Sequence, residues 1–291
     1  MTTPLETRFE TPGPVQLVVD VPQGDITVRT TAAVDGGAAT TVRLVPRGKA
    51  GRDLAERFAV ESRGNAVVVM APKERGFSFG RRDAVDVEVD VPEGSSLDLR
   101  TGSGDIVGTG RYETTKAATG SGDVTLEDVG TADLKSGSGD LRARSVHGTL
   151  KAKTGSGDVV LEATHGEADI VSGSGDITLR RAEAEVRAKS GSGDVTIGAS
   201  VADLDVLTGT GDLTFGAVHG GQVQARTGTG DVTIGVVSGV AALLDLNTVT
   251  GDVRIDLEET EGPGDAEGRA RLSVQSGSGD IKVRRAQASL A

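Results

Sequence analysis

Ser172-Gly173-Ser174-Gly175-Asp176-Ile177-Thr178-Leu179 decides the reading of this 291-residue chain. Its first five residues form a phrase, Ser/Thr-Gly-Ser/Thr-Gly-Asp, that recurs between Thr101 and Asp280. Nine full copies end at Asp105, Asp123, Asp140, Asp158, Asp176, Asp194, Asp212, Asp231 and Asp280. A tenth, Thr248-Val249-Thr250-Gly251-Asp252, has Val249 in place of the first glycine. Successive aspartates are 18, 17, 18, 18, 18, 18, 19, 21 and 28 residues apart, a near-constant period that insertions are expected to lengthen in the last coils. A period this short marks a solenoid, in which each repeat buries its apolar face only against its neighbours.

Aligning the copies on the aspartate exposes the core. One residue on stand Ile106, Val124, Leu141, Val159, Ile177, Val195, Leu213, Val232, Val253 and Ile281. Three residues on stand Leu126, Leu161, Leu179, Ile197, Phe215, Ile234, Ile255 and Val283, with Gly108 and Ala143 as small exceptions. Triplets such as Ala168/Ile170/Ser172 and Leu204/Val206/Thr208 precede the phrase. Period-2 alternation on both sides predicts two short strands per coil, each with one face inward. A further small or apolar phase six residues after the aspartate (Val129, Val146, Thr164, Ala182, Ser200, Val218 and Val237) hints at a third side.

Upstream of the phrase the chain also alternates. Val15, Leu17 and Val19 lead through Pro22-Gln23-Gly24-Asp25 into Ile26 and Val28, and Val91-Pro92-Glu93-Gly94 with Leu97 and Leu99 echoes that unit. Gly51 to Phe58 predicts a helix of about two turns. Phe58 to Ser62 and Ala66 to Ala71 predict a hairpin about Arg63-Gly64-Asn65. Residues 73–82 place Phe77 and Phe79, two of five phenylalanines, among Lys73, Arg75, Arg81 and Arg82. Three readings fit that loop: docking of a partner, binding of an anionic ligand, or a hairpin tip whose phenylalanines plug the open end of the solenoid.

Composition excludes several classes. With 43 acidic and 31 basic residues the formal charge is -12, which disfavours nucleic acid and anionic membrane surfaces as partners. No cysteine is present, so disulfides and thiolate chemistry are out. Neither an apolar leader nor an 18-residue apolar run is visible, so the expectation is a cytoplasmic protein without direct membrane insertion.

Several features invite chemistry. An Asp beside glycines can bond backbone N–H groups in an Asx-type turn, whereas stacked Gly/Asp turns also suggest a calcium-binding adhesive roll. The calcium pattern Gly-Gly-x-Gly-x-Asp-x-apolar-x differs, because here Asp follows Gly directly and the phrase occurs once per coil. A basic residue lies five positions before the aspartate at Arg100, Lys135, Lys153, Lys189 and Arg226, where it could lie near the acidic ladder. Thr125, Thr178, Thr196, Thr214 and Thr233 predict an outward threonine ladder. His147, His165 and His219 share one phase; the first two could sit about 5 Å apart, and the third lies too far along the stack to join them. No Gly-x-Ser-x-Gly elbow, phosphate loop or His-Glu-x-x-His is present, so no catalytic, cofactor or metal residue is assigned and an enzyme is not expected.

Val-Pro-Glu-Gly-x-x-Leu-x-Leu at 91–99, Thr-Gly-Ser-Gly-Asp-Ile at 101–106 and the repeated Ser-Gly-Ser-Gly-Asp-Val-Thr-Leu type together resemble the bacterial putative-adhesin family of β-strand-repeat proteins, a toastrack-related domain of unknown function. The resemblance covers residues 85–285 strongly and 1–84 loosely. It implies a non-enzymatic parallel β-solenoid, often associated with envelope stress or the cell surface. The expectation is therefore an all-β parallel β-solenoid (β-helix/β-roll-like) of about 18 residues per coil. Residues 1–84 would form an N-terminal β-rich cap and early coils, and 85–291 one continuous regular core. Functionally it predicts a bacterial binding or scaffolding module that presents a repetitive face to a protein partner, with Lys73, Arg75, Phe77, Phe79, Arg81 and Arg82 as candidate contacts. Its alternatives are a self-assembling filament built by end-to-end stacking or other homo-oligomerisation, and a Ca²⁺-binding roll.

Overall fold

A computed structural model describes residues 4–31, 38–48, 50–72, 84–258 and 268–286. It divides into two compact units, residues 1–144 and 145–291. Both are parallel β-solenoids, as the repeat predicts. No helix among the described residues is long and apolar enough to cross a membrane.

The first unit contains β1 (Leu5–Thr11), β2 (Gln16–Val21), β3 (Ile26–Thr31), β4 (Ala38–Arg47), α1 (Gly51–Ala55), β5 (Ala59–Arg63), β6 (Ala66–Met70), β7 (Ala84–Pro92), β8 (Ser96–Thr101), β9 (Ile106–Thr119) and β10 (Val124–Ser136), and then enters β11 (Leu141–Val146). Parallel pairing orders one wall as β6, β2, β8, the second half of β9 and the second half of β10. The other wall runs β7, β3, the first half of β9 and the first half of β10. The coil made by β2 and β3 is thus inserted between two coils that follow it in sequence. At the outer rung β5 adds antiparallel to β6, while β4 adds antiparallel to β7 and carries β1 on its far edge. The hairpin predicted about Arg63-Gly64-Asn65 is the β5–β6 pair, with Gly64 at φ 61°. The helix is one short turn, Gly51–Ala55, that buries Leu54 and Ala55.

This register corrects one sequence reading. Val91-Pro92-Glu93-Gly94 does not match Val21-Pro22-Gln23-Gly24, because Val91 and Pro92 lie opposite Thr30 and Thr31. Val21 instead lies opposite Thr101. Val21-Pro22-Gln23-Gly24-Asp25 is therefore a degenerate copy of the Ser/Thr-Gly-Ser/Thr-Gly-Asp corner, with Pro22 where the first glycine stands. Only the final Gly-Asp pair survives as a sequence signal.

The second unit contains β12 (Leu150–Thr154), β13 (Val159–Thr164), β14 (Ala168–Ser172), β15 (Ile177–Ala182), β16 (Val186–Ser192), β17 (Val195–Ser200), β18 (Leu204–Thr210), β19 (Leu213–Val218), β20 (Gly221–Thr229), β21 (Val232–Val236), β22 (Val240–Thr250), β23 (Val253–Asp256), β24 (Gly268–Ser278) and β25 (Ile281–Arg285). Each strand up to β21 lies over the one two places earlier, so the two strands per coil build two parallel walls. The phase-six residues Thr164, Ala182, Ser200 and Val218 are buried at the ends of the odd-numbered strands.

The stacking order then departs from chain order. β20 pairs with β24 and β24 with β22, while β21 pairs with β25 and β25 with β23. The long steps to Asp252 and Asp280 thus accompany two coils exchanged in the stack, and extra residues lie between the end of β23 at Asp256 and the start of β24 at Gly268. The final coil is bonded on both edges and buries Leu272, Val274, Ile281 and Val283 completely. Burial explains the choice: the last chain segment sits in the interior of the stack, and the coil before it becomes the edge.

The exception at Gly108 has a local cause. Tyr112, the only tyrosine, is 1% exposed, and its ring occupies the space that a larger residue at 108 would fill. A Cβ on Gly108 would lie 3.2 Å from Tyr112 Cε2 and 2.8 Å from Leu126 Cδ2. The phenol lies 2.9 Å from the Val28 carbonyl and 2.8 Å from the Thr109 carbonyl, either of which can accept its single proton. Burial, followed by the charge of Glu127, raises its pKa, so the donor is retained through the neutral range.

Candidate functional site

The repeated corner is the natural first candidate, and its geometry assigns four of the five residues of the phrase a structural task. The first Ser or Thr is buried: Ser172 Oγ donates to the Gly157 carbonyl of the preceding coil at 3.1 Å and accepts the Gly175 N–H at 2.8 Å. Ser136 repeats both bonds, with Gly122 and Gly139. The glycines are required by close approach, since a Cβ on Gly175 would lie 2.0 Å from the Gly157 carbonyl oxygen. The second Ser or Thr is exposed, as at Ser174.

The aspartate forms a ladder between coils. In the second unit the N–H of Asp176 donates to Asp158 Oδ1, and the pattern continues through Asp194, Asp212, Asp231, Asp280 and Asp252 at 2.7 to 2.9 Å. In the first unit Asp140, Asp123, Asp105 and Asp25 do the same, and the Asp25 N–H donates to Asp86 Oδ1 at 3.0 Å. The acceptor capacity expected inside an Asx-type turn is thus directed to the next coil. Carboxylates strung along an edge do not converge on one ion, and among the described residues no three His, Cys, Asp or Glu side chains form a metal-binding group.

Asp86 enters the ladder without a phrase of its own and is mostly buried. Burial raises its pKa from the ordinary 3.8, against the lowering effects of the Asp25 N–H and the Arg47 guanidinium. Its ionisation is therefore less favourable in the folded chain than in the unfolded one. That contribution to stability is fully present below pH 3.8 and is lost as pH rises through the raised value. Asp86→Asn should accordingly gain stability relative to the parent as pH rises through this window, with near-equality on its acid side. Urea melts of both proteins across pH check it; a constant difference would contradict it.

The basic residues five positions before the aspartate do not reach the ladder. Arg100 bonds Asp98 at 3.1 Å and Lys135 bonds Asp133 at 3.1 Å, each two residues back on its own strand. Arg226 reaches Gln224 at 3.3 Å. This phase points outward from the wall before the corner, because strand alternation places it on the opposite face from the buried Ser/Thr next to it. Cations from other phases do meet the ladder: Arg142 lies 3.3 Å from Asp123 and 2.6 Å from Asp140, Arg47 lies 2.7 Å from Asp25 and also pairs with Asp86, and Arg254 lies 3.5 Å from Asp252.

On the second unit this outer wall has two ordered columns. Lys151, Asp169, Arg187 and Asp205 lie opposite one another in consecutive coils, so opposite charges alternate. Such cross-strand pairs favour the register. Beside them Lys153, Val171, Lys189, Leu207 and Arg226 form a second column in which cations alternate with apolar side chains. Leu207 is 41% exposed. Cations on alternate coils stand about 10 Å apart. The opposite wall carries the predicted threonine ladder, with Thr178, Thr196, Thr214 and Thr233 in register; Thr125, in the first unit, lies opposite Val107.

His147 and His165 stack, with ring centroids 4.9 Å apart and planes within 5°. His165 Nδ1 lies 2.7 Å from Glu183 Oε2, and His147 Nε2 lies 3.4 Å from Ser145 Oγ. Face-to-face rings direct their nitrogens along their edges rather than at a shared ion. The candidate loop residues Lys73, Arg75, Phe77, Phe79, Arg81 and Arg82 lie outside the described residues. The column from Lys153 to Arg226 was missed as a surface because the cations were expected to face the aspartates; the two-coil alternation of basic and apolar residues was the available signal.

Comparison with known proteins places this geometry in context. The family model Toastrack DUF4097 matches residues 15–200 and 180–289. No curated protein matches the chain. Similar solved structures include a "putative lipid binding protein" from Parabacteroides distasonis, with 12% identity, 97% of each chain covered and a TM-score of 0.48. Another, a "putative adhesin" from the same organism, has 12% identity, covers 96% of this chain and 97% of its own, and has a TM-score of 0.40. A "putative adhesin" from Bacteroides fragilis has 15% identity, 97% and 98% coverage and a TM-score of 0.36.

Proposed function

The chain belongs to the Toastrack DUF4097 family, and on that premise we propose that it is a non-enzymatic binding module whose outer wall docks an acidic, elongated protein surface. The observation carrying this reading is the column Lys153, Val171, Lys189, Leu207 and Arg226. In a chain of net charge -12 it concentrates three cations on one line and separates them with apolar side chains. The adjacent column neutralises itself, whereas Lys189 lies between Val171 and Leu207, and Lys153 lies opposite Val171. Regular coils hold the cations at fixed intervals, so a partner with acidic groups about 10 Å apart could be engaged with little ordering cost.

Charge reversal tests this. The triple variant Lys153→Glu, Lys189→Glu, Arg226→Glu alters exposed side chains and should melt near the parent temperature. Proteins retained from an extract of the source cell by the parent, measured by quantitative mass spectrometry at low salt, should fall at least about tenfold on the variant. Equal retention by both proteins, or none by the parent beyond a bare matrix, overturns the assignment.

A further inference from the structure

We propose that the open edge formed by β22 and β23 binds the same edge of a second copy of this chain, in a two-fold antiparallel contact. Val253 and Ile255 occupy the inward phases of their coil, yet they are 42% and 50% exposed. At the same phases one and two coils deeper, Ile281, Val283, Val232 and Ile234 are 0% exposed. The difference arises from the exchanged stacking order: β24 and β25 cover one edge of this coil, and among the described residues no strand pairs with the other. Leu243 and Val249 on the same rung are also exposed, at 59% and 81%. A parallel rung that ends this way presents unpaired backbone N–H and C=O groups beside apolar side chains, which is a template for strand addition.

The occupant follows from charge and from how the terminal rung of the first unit is built. In the first unit the terminal rung is already covered: Val67, Val69, Val87 and Val89 are no more than 1% exposed. Its outermost hairpin strand, β5, presents exposed Glu61 and Arg63. Docking of the β22–β23 edge on that rung of another copy would therefore set an apolar surface against a polar one. Residues 259–267, which join β23 to β24, contain no branched aliphatic or aromatic side chain that could fill the surface.

Identical edges related by a two-fold axis must run antiparallel. Side-chain alternation permits only registers that keep Val253 and Ile255 on the inner face. Placing Ile255 opposite its own copy sets Arg254 against Asp256 of the second copy, twice, and Val253 against Leu257. Placing Arg254 opposite its copy instead confronts Arg with Arg and Asp252 with Asp256. The first register matches both charge and hydrophobicity, and a two-fold contact closes at two chains without propagating a filament.

This contact uses none of the residues in the Lys153–Arg226 column, so the two assignments fail independently. Sedimentation velocity of the full chain over a wide concentration range should show a monomer–dimer equilibrium. Val253→Asp with Ile255→Asp should weaken it at least tenfold and leave the melting temperature near that of the parent. In this cysteine-free chain Ile255→Cys should form a disulfide-linked dimer on oxidation, and Glu61→Cys should not. A parent that stays monomeric throughout, open-ended growth, a dimer unaffected by the double substitution, or a dimer that Ile255→Cys fails to link would each overturn the proposal.

Discussion

Tyr112→Ala is expected to lower the unfolding free energy by about 4 kcal/mol, because it empties the volume of a fully buried ring beside a glycine that cannot refill it. Tyr112→Phe keeps the ring and leaves the Val28 and Thr109 carbonyls without this donor, so it should cost only about 1 kcal/mol. Gly108→Ala supplies a control. In the parent its Cβ meets Tyr112 and Leu126, at a cost of about 1–3 kcal/mol. In the Tyr112→Ala background the ring contact is gone, and the penalty should shrink by about 1 kcal/mol. Denaturant melts of the four proteins close this cycle; additive costs would show that the two positions do not share the cavity.

Gly175→Ala should cost about 3 kcal/mol, with no ligand or partner involved. Its Cβ would lie 2.0 Å from the Gly157 carbonyl oxygen, and backbone on both sides is held by the coil ladders. Ser174→Ala, one residue away and exposed, should change stability by less than about 0.5 kcal/mol. Chemical melts of both variants separate a stacking constraint from a requirement for the phrase as a binding motif. Comparable losses for the two would mean that close approach is not what selects glycine at 175.

These expectations show how unevenly the chain could be read in advance. Core positions following each aspartate were legible because strand alternation and an 18-residue step leave one face for apolar residues, and Ile177, Leu179, Val195 and Ile197 are buried accordingly. The hairpin about Gly64 was legible from turn chemistry. By contrast, Asp25 belongs to the same ladder as Asp105, although Pro22 stands in place of the first glycine. Asp86 belongs to it with no phrase at all. Both are recruited by the strands stacked beside them, and one-dimensional pattern matching does not see those neighbours.

The candidate surface divides the same way. Basic residues five positions before the aspartate were visible at once, but their direction depends on strand parity, which turns them outward beside Val171 and Leu207 and away from the acidic edge. A distance of five residues around a tight corner looks short in sequence and is interrupted in space by the buried Ser/Thr hydroxyl.

By itself the sequence determined the strand class, the coil length, the inward phases and the glycine-aspartate corner, since each follows from local sterics and a repeated alternation. Only the tertiary structure decided which coil adjoins which. Nearly identical coils offer nearly identical edges, so their order depends on what each end must cover: β2 and β3 slip inside the first unit, β24 and β25 inside the second. Antiparallel strands cover the terminal rung of the first unit, and the edge rung of the second keeps Val253 and Ile255 half exposed.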